Sequence, residues 1–501
     1  MSPGNLPAGF KRFPPLFKHF GLASNSHLIL CKATQKQGHM PLITSVSGIR
    51  GTIGGIAGEN LTPQDAVAFA SAYGAWLQSE APGSHRLKVV VGRDARPSGP
   101  AIQHLVVSTL VSMGIDVLDL GLSTTPTVEV MVPWEGCDGG IILTASHNPV
   151  EWNALKLLNA RGEFLSAADG AKILAHVREG GFEYAPVHEM GEVIPVHDAI
   201  ERHIESVLAL DDVDVEAIRQ ADFRVAVDAV NSTGGIAVPA LLTALGVQKQ
   251  ELLYCEPNGQ FPHNPEPLRK HLDAICALVP EKKCDLGVVV DPDVDRLVLV
   301  SENGDLFGEE YTLVAVADYL LAKRPGHCVS NLSSSRALRD IAARHGSTYS
   351  ASAVGEVHVV NEMKAMEAVI GGEGNGGIIF PDSHYGRDSL VGIALFLSHL
   401  AQRGGRCSDL RASYPNYFMA KEKATLTPSM DVDGLLASIA AEYAGQQPST
   451  LDGVKIDFES TWVHLRKSNT EPIVRIYTEA PTQAEADDLA AQFVKKLEAF
   501  S

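Results

Sequence analysis

The sequence predicts an α/β protein of several domains: three α/β units in a row and a small α+β unit at the end. Three observations carry that reading. Apolar runs of strand length alternate with helical segments from residue 41 onward, the pattern of α/β layers. Beyond residue 417 the alternation gives way to short strands followed by one amphipathic helix. The length of 501 residues allows three or four domains at roughly 150 residues each.

The elements follow in order. Residues 1–40 stand apart: Lys11, Arg12, Lys18, Lys32 and Lys36 occur with no acidic residue, and no helical period is present. A basic, acid-poor segment could be a transit peptide, but arginine and serine are sparse, so an unstructured extension or an over-long start is the better reading. Thr62 and Pro63 open a helix, threonine as cap and proline at the first helical position. Residues 87–91 form a buried strand, followed by a glycine-containing turn and an apolar helix over 100–113. Strands at 115–120 and 140–143 complete this first series. A second series begins at 223–227 and ends in the all-apolar run 286–290. A third runs from Leu297 through 329–332 to 368–370. The terminal unit has strands around 423–427, 454–458, 462–465 and 473–478. Its helix opens on a capping box, Thr482 to Glu485, and shows the stripe Leu489, Phe493, Leu497 and Phe500.

Composition narrows the function. The chain is 45% apolar and 20% charged, which excludes a disordered, collagen-like or coiled-coil protein. Its formal charge of −19 argues against nucleic acid or an anionic membrane as partner, since both need a positive field. An anionic substrate must therefore be held by local cations. The seven cysteines form no CxxC pair, so neither a zinc ribbon nor a disulfide framework is expected, and a reducing cytoplasm fits. No apolar run reaches the roughly 18 residues of a membrane span.

Four loops carry chemistry. Thr144-Ala-Ser-His-Asn-Pro149 directly follows a strand, where α/β sheets place their ligands. Ser146 is a weak nucleophile unless activated, and Lys156 could act as a base if burial or nearby cations lower its pKa. Asp291-Pro-Asp293-Val-Asp295-Arg296 also follows an apolar strand. Its carboxylates repel, each pair by on the order of 4 kcal/mol at 4 Å, and a hard cation, magnesium above all, removes the conflict. Glu302 is twelfth from Asp291, as in a calcium EF-hand, but Arg296 stands where that loop needs glycine and a strand leads in. A strand followed by Asp-x-Asp-x-Val also fits the haloacid-dehalogenase phosphatases, with Asp291 as nucleophile. In Gly371-Gly-Glu373-Gly-Asn375-Gly-Gly377, glycines would let the backbone approach a ligand while Glu373 and Asn375 bond sugar hydroxyls. Arg466-Lys-Ser468-Asn469-Thr470-Glu-Pro-Ile-Val-Arg475 gathers donors suited to a phosphate dianion.

These four loops, in this order, resemble those of the alpha-D-phosphohexomutase family, and the resemblance covers residues 41–501. The phosphatase alternative accounts for only the second loop. The resemblance implies three related α/β domains and a C-terminal domain like the TATA-binding-protein fold, around a central cleft. The expected boundaries are 41–200 for the phosphoserine domain, 201–305 for the magnesium-loop domain, 306–416 for the sugar-loop domain and 417–501 for the phosphate-binding domain. It implies a mutase moving phosphate between the 6- and 1-hydroxyls of a hexose through a phosphoserine at Ser146 and a hexose 1,6-bisphosphate. Mg²⁺ would be held by Asp291, Asp293, Asp295 and a phosphoserine oxygen. Arg50, in Ser47-Gly-Ile-Arg50-Gly, and Arg296 would stabilise the transferred charge, with Lys156 as general acid/base and His147 positioning the phosphoserine. Glu373 and Asn375 would read the phosphosugar's ring, and Arg466, Ser468, Asn469 and Thr470 would grip the unreacting phosphate. The sugar loop ends Asn375-Gly-Gly377 rather than the common Ser-Gly-His, and the first loop lacks an aspartate many members carry. This form is similar to bacterial members assigned as phosphoglucosamine mutases; mannose- or glucose-phosphate specificity is the alternative.

Overall fold

The computed structural model describes residues 42–45, 48–81, 83, 85–425, 431–467 and 473–498. The expected 1–40 extension and Phe500 therefore lie outside the described residues. Three mixed sheets and one antiparallel sheet appear along the chain. The first three repeat one four-strand plan: two strands side by side in parallel, a third parallel to the first on its other side, and a fourth returning antiparallel against the third. In the first sheet these are Lys88–Arg93, Asp116–Leu122, Gly139–Leu143 and Trp152–Leu158. In the second they are Arg224–Asp228, Lys249–Leu253, Leu286–Val290 and Leu297–Ser301. In the third they are His327–Asn331, Thr348–Ser352, Ile370–Glu373 and Gly377–Ile379. The first sheet adds Ile43–Ser45 and Gly48–Thr52 at one edge and Val193–Pro195 at the other.

This plan corrects one expectation. The strand at Leu297 does not open the third series but closes the second, because the acidic loop turns the chain straight back onto Leu286–Val290. Both strands are apolar throughout and buried on both faces, so their periodicity gives no sign of which sheet they join.

The sequence forms these elements for local reasons. Helix Pro63–Glu80 starts where the Asp65 carboxylate accepts the Thr62 N–H at 3.0 Å, with Pro63 supplying no orphan donor. Helices Glu309–Lys323 and Ser389–Arg403 are buried nearly all round and pack on each other. They fuse the second and third α/β units into one continuous apolar core, while the first unit keeps its own.

The terminal unit is a four-stranded antiparallel sheet in the order Phe418–Thr425, Ile473–Ala480, Trp462–Lys467, Val454–Asp457. Helix Gln483–Glu498 buries Phe493 and Leu497 in its core. A second helix, Val432–Glu442, lies in a stretch where no element was expected.

Candidate active site

The chemistry loops of the three α/β units all occupy the same place in the plan, the turn between third and fourth strands. The structure brings those turns together.

The 144–149 loop leaves the fully buried strand Gly139–Leu143. Thr144 Oγ1 donates to Asp94 Oδ2 at 2.7 Å and accepts the Ser146 N–H at 2.9 Å. Ser146 has φ of +48°, a left-handed conformation that costs a non-glycine residue about 1–2 kcal/mol. What holds it there is Arg96, fully buried and absent from the sequence expectations. Its guanidinium donates to the carbonyls of Ser146 and Asn148, both at 2.6 Å, and of Trp152 at 3.0 Å, while Asp94 neutralises it at 2.9 Å. The segment Arg93-Asp94-Ala-Arg96 at a strand end was the available signal, and it reads as an ordinary turn. Ser146 Oγ emerges to donate to Asp291 Oδ2 at 2.8 Å, with His147 Nδ1 at 3.4 Å. Burial, then the Arg296 and Arg50 charges, push the His147 pKa down to about 2, so this ring stays neutral.

In the 291–296 loop all three aspartates are fully buried, and one oxygen from each falls within 4.8 Å of the others. Val294, β-branched, takes φ of +65°, a conformation that persists only because the surroundings impose it. Asp293 Oδ2 accepts from Thr125 Oγ1 and Lys156 Nζ, both at 2.6 Å. Asp295 Oδ2 accepts from Arg387 at 2.6 Å. Burial, then the charges of Asp295 and Asp293, push the Asp291 pKa well above the usual carboxylate range. Asp293 moves the other way: burial opposes its charge, but Lys156 and Thr125 more than offset this. Asp293 Oδ1 and Asp295 Oδ1 are buried with no hydrogen-bond partner. Three convergent buried carboxylates, two of which carry an unpartnered oxygen, fit a hard divalent cation.

Lys156 lies on Trp152–Leu158, one strand over from Arg50 on Gly48–Thr52. Arg50 donates to Asn148 Oδ1 at 2.9 Å. The condition on which Lys156 could act as a base, a pKa lowered by burial or nearby cations, is not met. Burial works in that direction, but Asp293 and Asp295 outweigh it and raise the pKa, so Lys156 holds its proton.

The 371–377 segment is a hairpin, Ile370–Glu373 with Gly377–Ile379. Glu373 accepts from Asn331 at 2.9 Å and Arg387 at 3.1 Å, and Asn375 Oδ1 accepts the Gly377 N–H at 3.1 Å. Two of its glycines answer to the protein rather than to a ligand. A Cβ at Gly374 would stand 2.0 Å from the Glu310 carboxylate, and one at Gly376, where φ is +85°, 2.3 Å from the Leu297 carbonyl. Arg466 pairs with Asp452 at 2.8 Å; Ser468, Asn469 and Thr470 lie outside the described residues.

Arg50, Ser146, His147, Lys156, Arg296, Glu373, Asn375 and Arg466 line a single cleft of about 630 Å³, room enough for a phosphosugar. Sequence reasoning missed Glu310, Glu356, Arg387 and Lys421 on its walls. Arg387 is central among them, bonded to Asp295, Glu356 and Glu373 at once. Against a net charge of −19, Arg50, Lys156, Arg296, Arg387, Lys421, Arg466 and Arg475 set seven cations on the wall of this cleft, beside five glutamates.

Four family models match the chain. Those of phosphoglucomutase/phosphomannomutase alpha/beta/alpha domains I, II and III match residues 42–184, 201–304 and 308–417, and that of the C-terminal domain matches 421–496. A Thermococcus kodakarensis relative named phosphoglucomutase/phosphomannomutase is 37% identical over 89% of this chain and 98% of its own. A Methanopyrus kandleri relative, named "Probable phosphoglucosamine mutase", is 33% identical over 89% of this chain and 96% of its own. The crystal structure of a phosphoglucomutase/phosphomannomutase family protein from Burkholderia thailandensis has a TM-score of 0.79 at 25% identity, covering 91% of this chain and 97% of that one. The chain belongs to the phosphoglucomutase/phosphomannomutase family, within the alpha-D-phosphohexomutases. It is an enzyme, a phosphohexomutase of a metal-dependent family, and the haloacid-dehalogenase reading falls away.

Proposed function

We propose that the protein interconverts glucosamine 6-phosphate and glucosamine 1-phosphate in the cytoplasm, through a phosphoserine at Ser146 and a hexose 1,6-bisphosphate. The observation that carries the phosphoserine is Ser146 Oγ, forced out of a left-handed turn to within 2.8 Å of Asp291. In the first half-reaction the P–Oγ bond breaks, a bond forms from phosphorus to the sugar's O1, and the O1 proton departs. The bisphosphate turns end for end. The phosphoryl on O6 then returns to Ser146 Oγ, and O6 takes a proton. Lys156, kept protonated by Asp293 and Asp295, gives its proton to the departing oxygen in each half, Ser146 Oγ and then O6, and regains one from the attacking hydroxyl, O1 and then Ser146.

Asp291, Asp293, Asp295 and an oxygen on Ser146 would hold Mg²⁺, which when bound neutralises charge on the transferred phosphoryl. Arg50 and Arg296 lie on the cleft wall for the same purpose. His147, neutral, lies with Nδ1 3.4 Å from Ser146 Oγ and positions it. Glu373 and Asn375 bond the sugar hydroxyls, and Arg466, with Ser468, Asn469 and Thr470, holds the phosphate that is not reacting. Nucleic acid and membrane are not partners in this reading. Among the described residues no helix is long and apolar enough to cross a membrane.

The glucosamine assignment is supported by the Glu373-Gly-Asn375-Gly-Gly377 form of the sugar loop and by the name of the Methanopyrus relative. The name of the Thermococcus relative favours a second reading, mannose or glucose phosphate as substrate. Coupled kinetics on the 6-phosphates of glucosamine, mannose and glucose decides between them. Glucosamine 6-phosphate should show the highest kcat/KM, and a higher value for either of the others overturns the assignment.

A further inference from the structure

Away from the cleft, a second set of metal-ligating side chains converges on one point. His203, on helix Ala199–Leu208, is fully buried. His384 and Asp388 immediately precede helix Ser389–Arg403. His203 Nε2 lies 2.9 Å from Asp388 Oδ2, and His384 Nε2 lies 3.2 Å from the same oxygen. Donor atoms of all three fall within 4.8 Å of one another. Asp388 is fixed in place, because its Oδ1 caps the helix, accepting the Leu390 and Val391 N–H groups at 2.8 and 3.3 Å. Only Oδ2 faces the histidines.

The other ring nitrogens also face polar groups. His203 Nδ1 is 3.0 Å from Thr127 Oγ1, and His384 Nδ1 is 3.6 Å from Glu129 Oε2. Glu129 is only 2% exposed, and neither of its carboxyl oxygens has a hydrogen-bond partner. The chain makes room for it: a Cβ at Gly386 would stand 2.0 Å from Glu129 Oε2. With neutral rings donating Nε2–H to Asp388, His384 turns a bare lone pair toward this buried carboxyl. An ion on the two Nε2 atoms reverses both tautomers, so that each Nδ1–H donates outward, to Thr127 and to Glu129. Metal-bound histidines are held in this way, the second N–H on a carboxylate or other oxygen acceptor.

We propose that His203 Nε2, His384 Nε2 and Asp388 Oδ2 form a transition-metal site separate from the aspartate triad, with Glu129 and Thr127 as outer hydrogen-bond partners. Two imidazoles and one carboxylate suit zinc, whereas the all-oxygen triad suits magnesium. The 2.9 and 3.2 Å separations approach the edge of about 3.3 Å in a tetrahedron with bonds near 2.0–2.1 Å, so ligation needs little rearrangement. The partly exposed edge of His384 leaves a way in for the ion and for water as fourth ligand. Glu129 comes from the first α/β unit, His203 from the second, and His384 and Asp388 from the third. The ion therefore ties the three together beside Arg387, whose contacts reach the cleft.

The test uses full-length, tag-free protein, stripped with chelator, saturated with millimolar magnesium and titrated with cobalt(II). One equivalent should bind with the intense visible bands of a four- or five-coordinate nitrogen–oxygen site, be displaced by zinc, and raise the melting temperature. His203→Ala and His384→Ala should abolish the bands, Asp291→Asn should keep them, and Glu129→Gln should weaken binding about 10–100-fold. If the histidine variants do not fold, X-ray absorption at the zinc edge of the wild-type protein should count two imidazoles. Absent bands, bands that survive both histidine substitutions but vanish in Asp291→Asn, or an all-oxygen shell overturn the site. An unchanged affinity in Glu129→Gln removes Glu129 from it.

Discussion

Arg387 concentrates the electrostatics of the centre in one guanidinium, since it pairs with Asp295, Glu356 and Glu373 at once. Truncating one partner of such a buried set leaves uncompensated charge and costs about 3–5 kcal/mol. Arg387→Ala should lower the unfolding free energy in denaturant by that amount; a loss below about 1 kcal/mol would mean that water already solvates these carboxylates. The clamp makes a different demand. If Arg466 and Thr470 grip the unreacting phosphate as proposed, Arg466→Ala or Thr470→Ala removes one or two charge-assisted hydrogen bonds of roughly 1.5–3 kcal/mol each, and both half-reactions should lose substrate affinity. Wild-type KM in both variants would detach this loop from the phosphate. Ser146 and the three aspartates were legible in the sequence because each loop directly follows an apolar strand. Arg96, Arg387 and Glu356 were not. Their meaning lies in partners far along the chain: Arg387 meets Asp295 across 92 residues, and no local pattern encodes that pairing.

Asp318 shows what joins the helices behind the sugar loop. On Glu309–Lys323, it accepts from His345 at 2.6 Å and Tyr414 at 3.1 Å, with His399 at 3.6 Å. Burial alone would raise its pKa, but His399 and His345 beside it prevail and bring it down to about 2. A carboxyl depressed on folding stabilises the protein above its unfolded pKa, near 4, and loses that contribution as pH falls toward its folded pKa. The contribution is about 2 kcal/mol. In acid titrations of stability, Asp318→Asn should flatten the slope between about pH 4 and 2; an unaltered slope would place the acid sensitivity elsewhere. The elements themselves were partly legible. Helix Pro63–Glu80 announced its start through Thr62 and Pro63, and the terminal helix through Thr482 and Glu485. The partner of strand Leu297–Ser301 was misread because an apolar run buried on both faces carries no directional signal. Helix Val432–Glu442 carries a serviceable cap, Asp431 accepting the Gly434 N–H at 3.0 Å, but too short an apolar stripe to stand out.

The repeated strand plan gives the molecule its chemistry. Three units place their third-to-fourth-strand turns side by side, so one supplies the serine, one the carboxylates and one the hairpin proposed to read the sugar. The terminal sheet brings Arg466 to the same cleft. In the proposed cycle such an enclosure would retain a bisphosphate while it turns, and a mutase needs that retention where a phosphatase needs water. The class of fold was readable from alternation alone; the convergence of the turns was not, because it depends on how separate units pack. The account stands or falls on where the phosphoryl group rests. An alkyl phosphate on Ser146 survives acid, whereas an acyl phosphate on Asp291 does not. The direct measurement is mass spectrometry of acid-treated peptides from enzyme incubated with Mg²⁺ and hexose 1,6-bisphosphate. The account predicts one acid-stable phosphoryl on the Ser146 peptide, lost in Ser146→Ala together with mutase activity. A phosphoryl on Asp291, or full activity in Ser146→Ala, would contradict it.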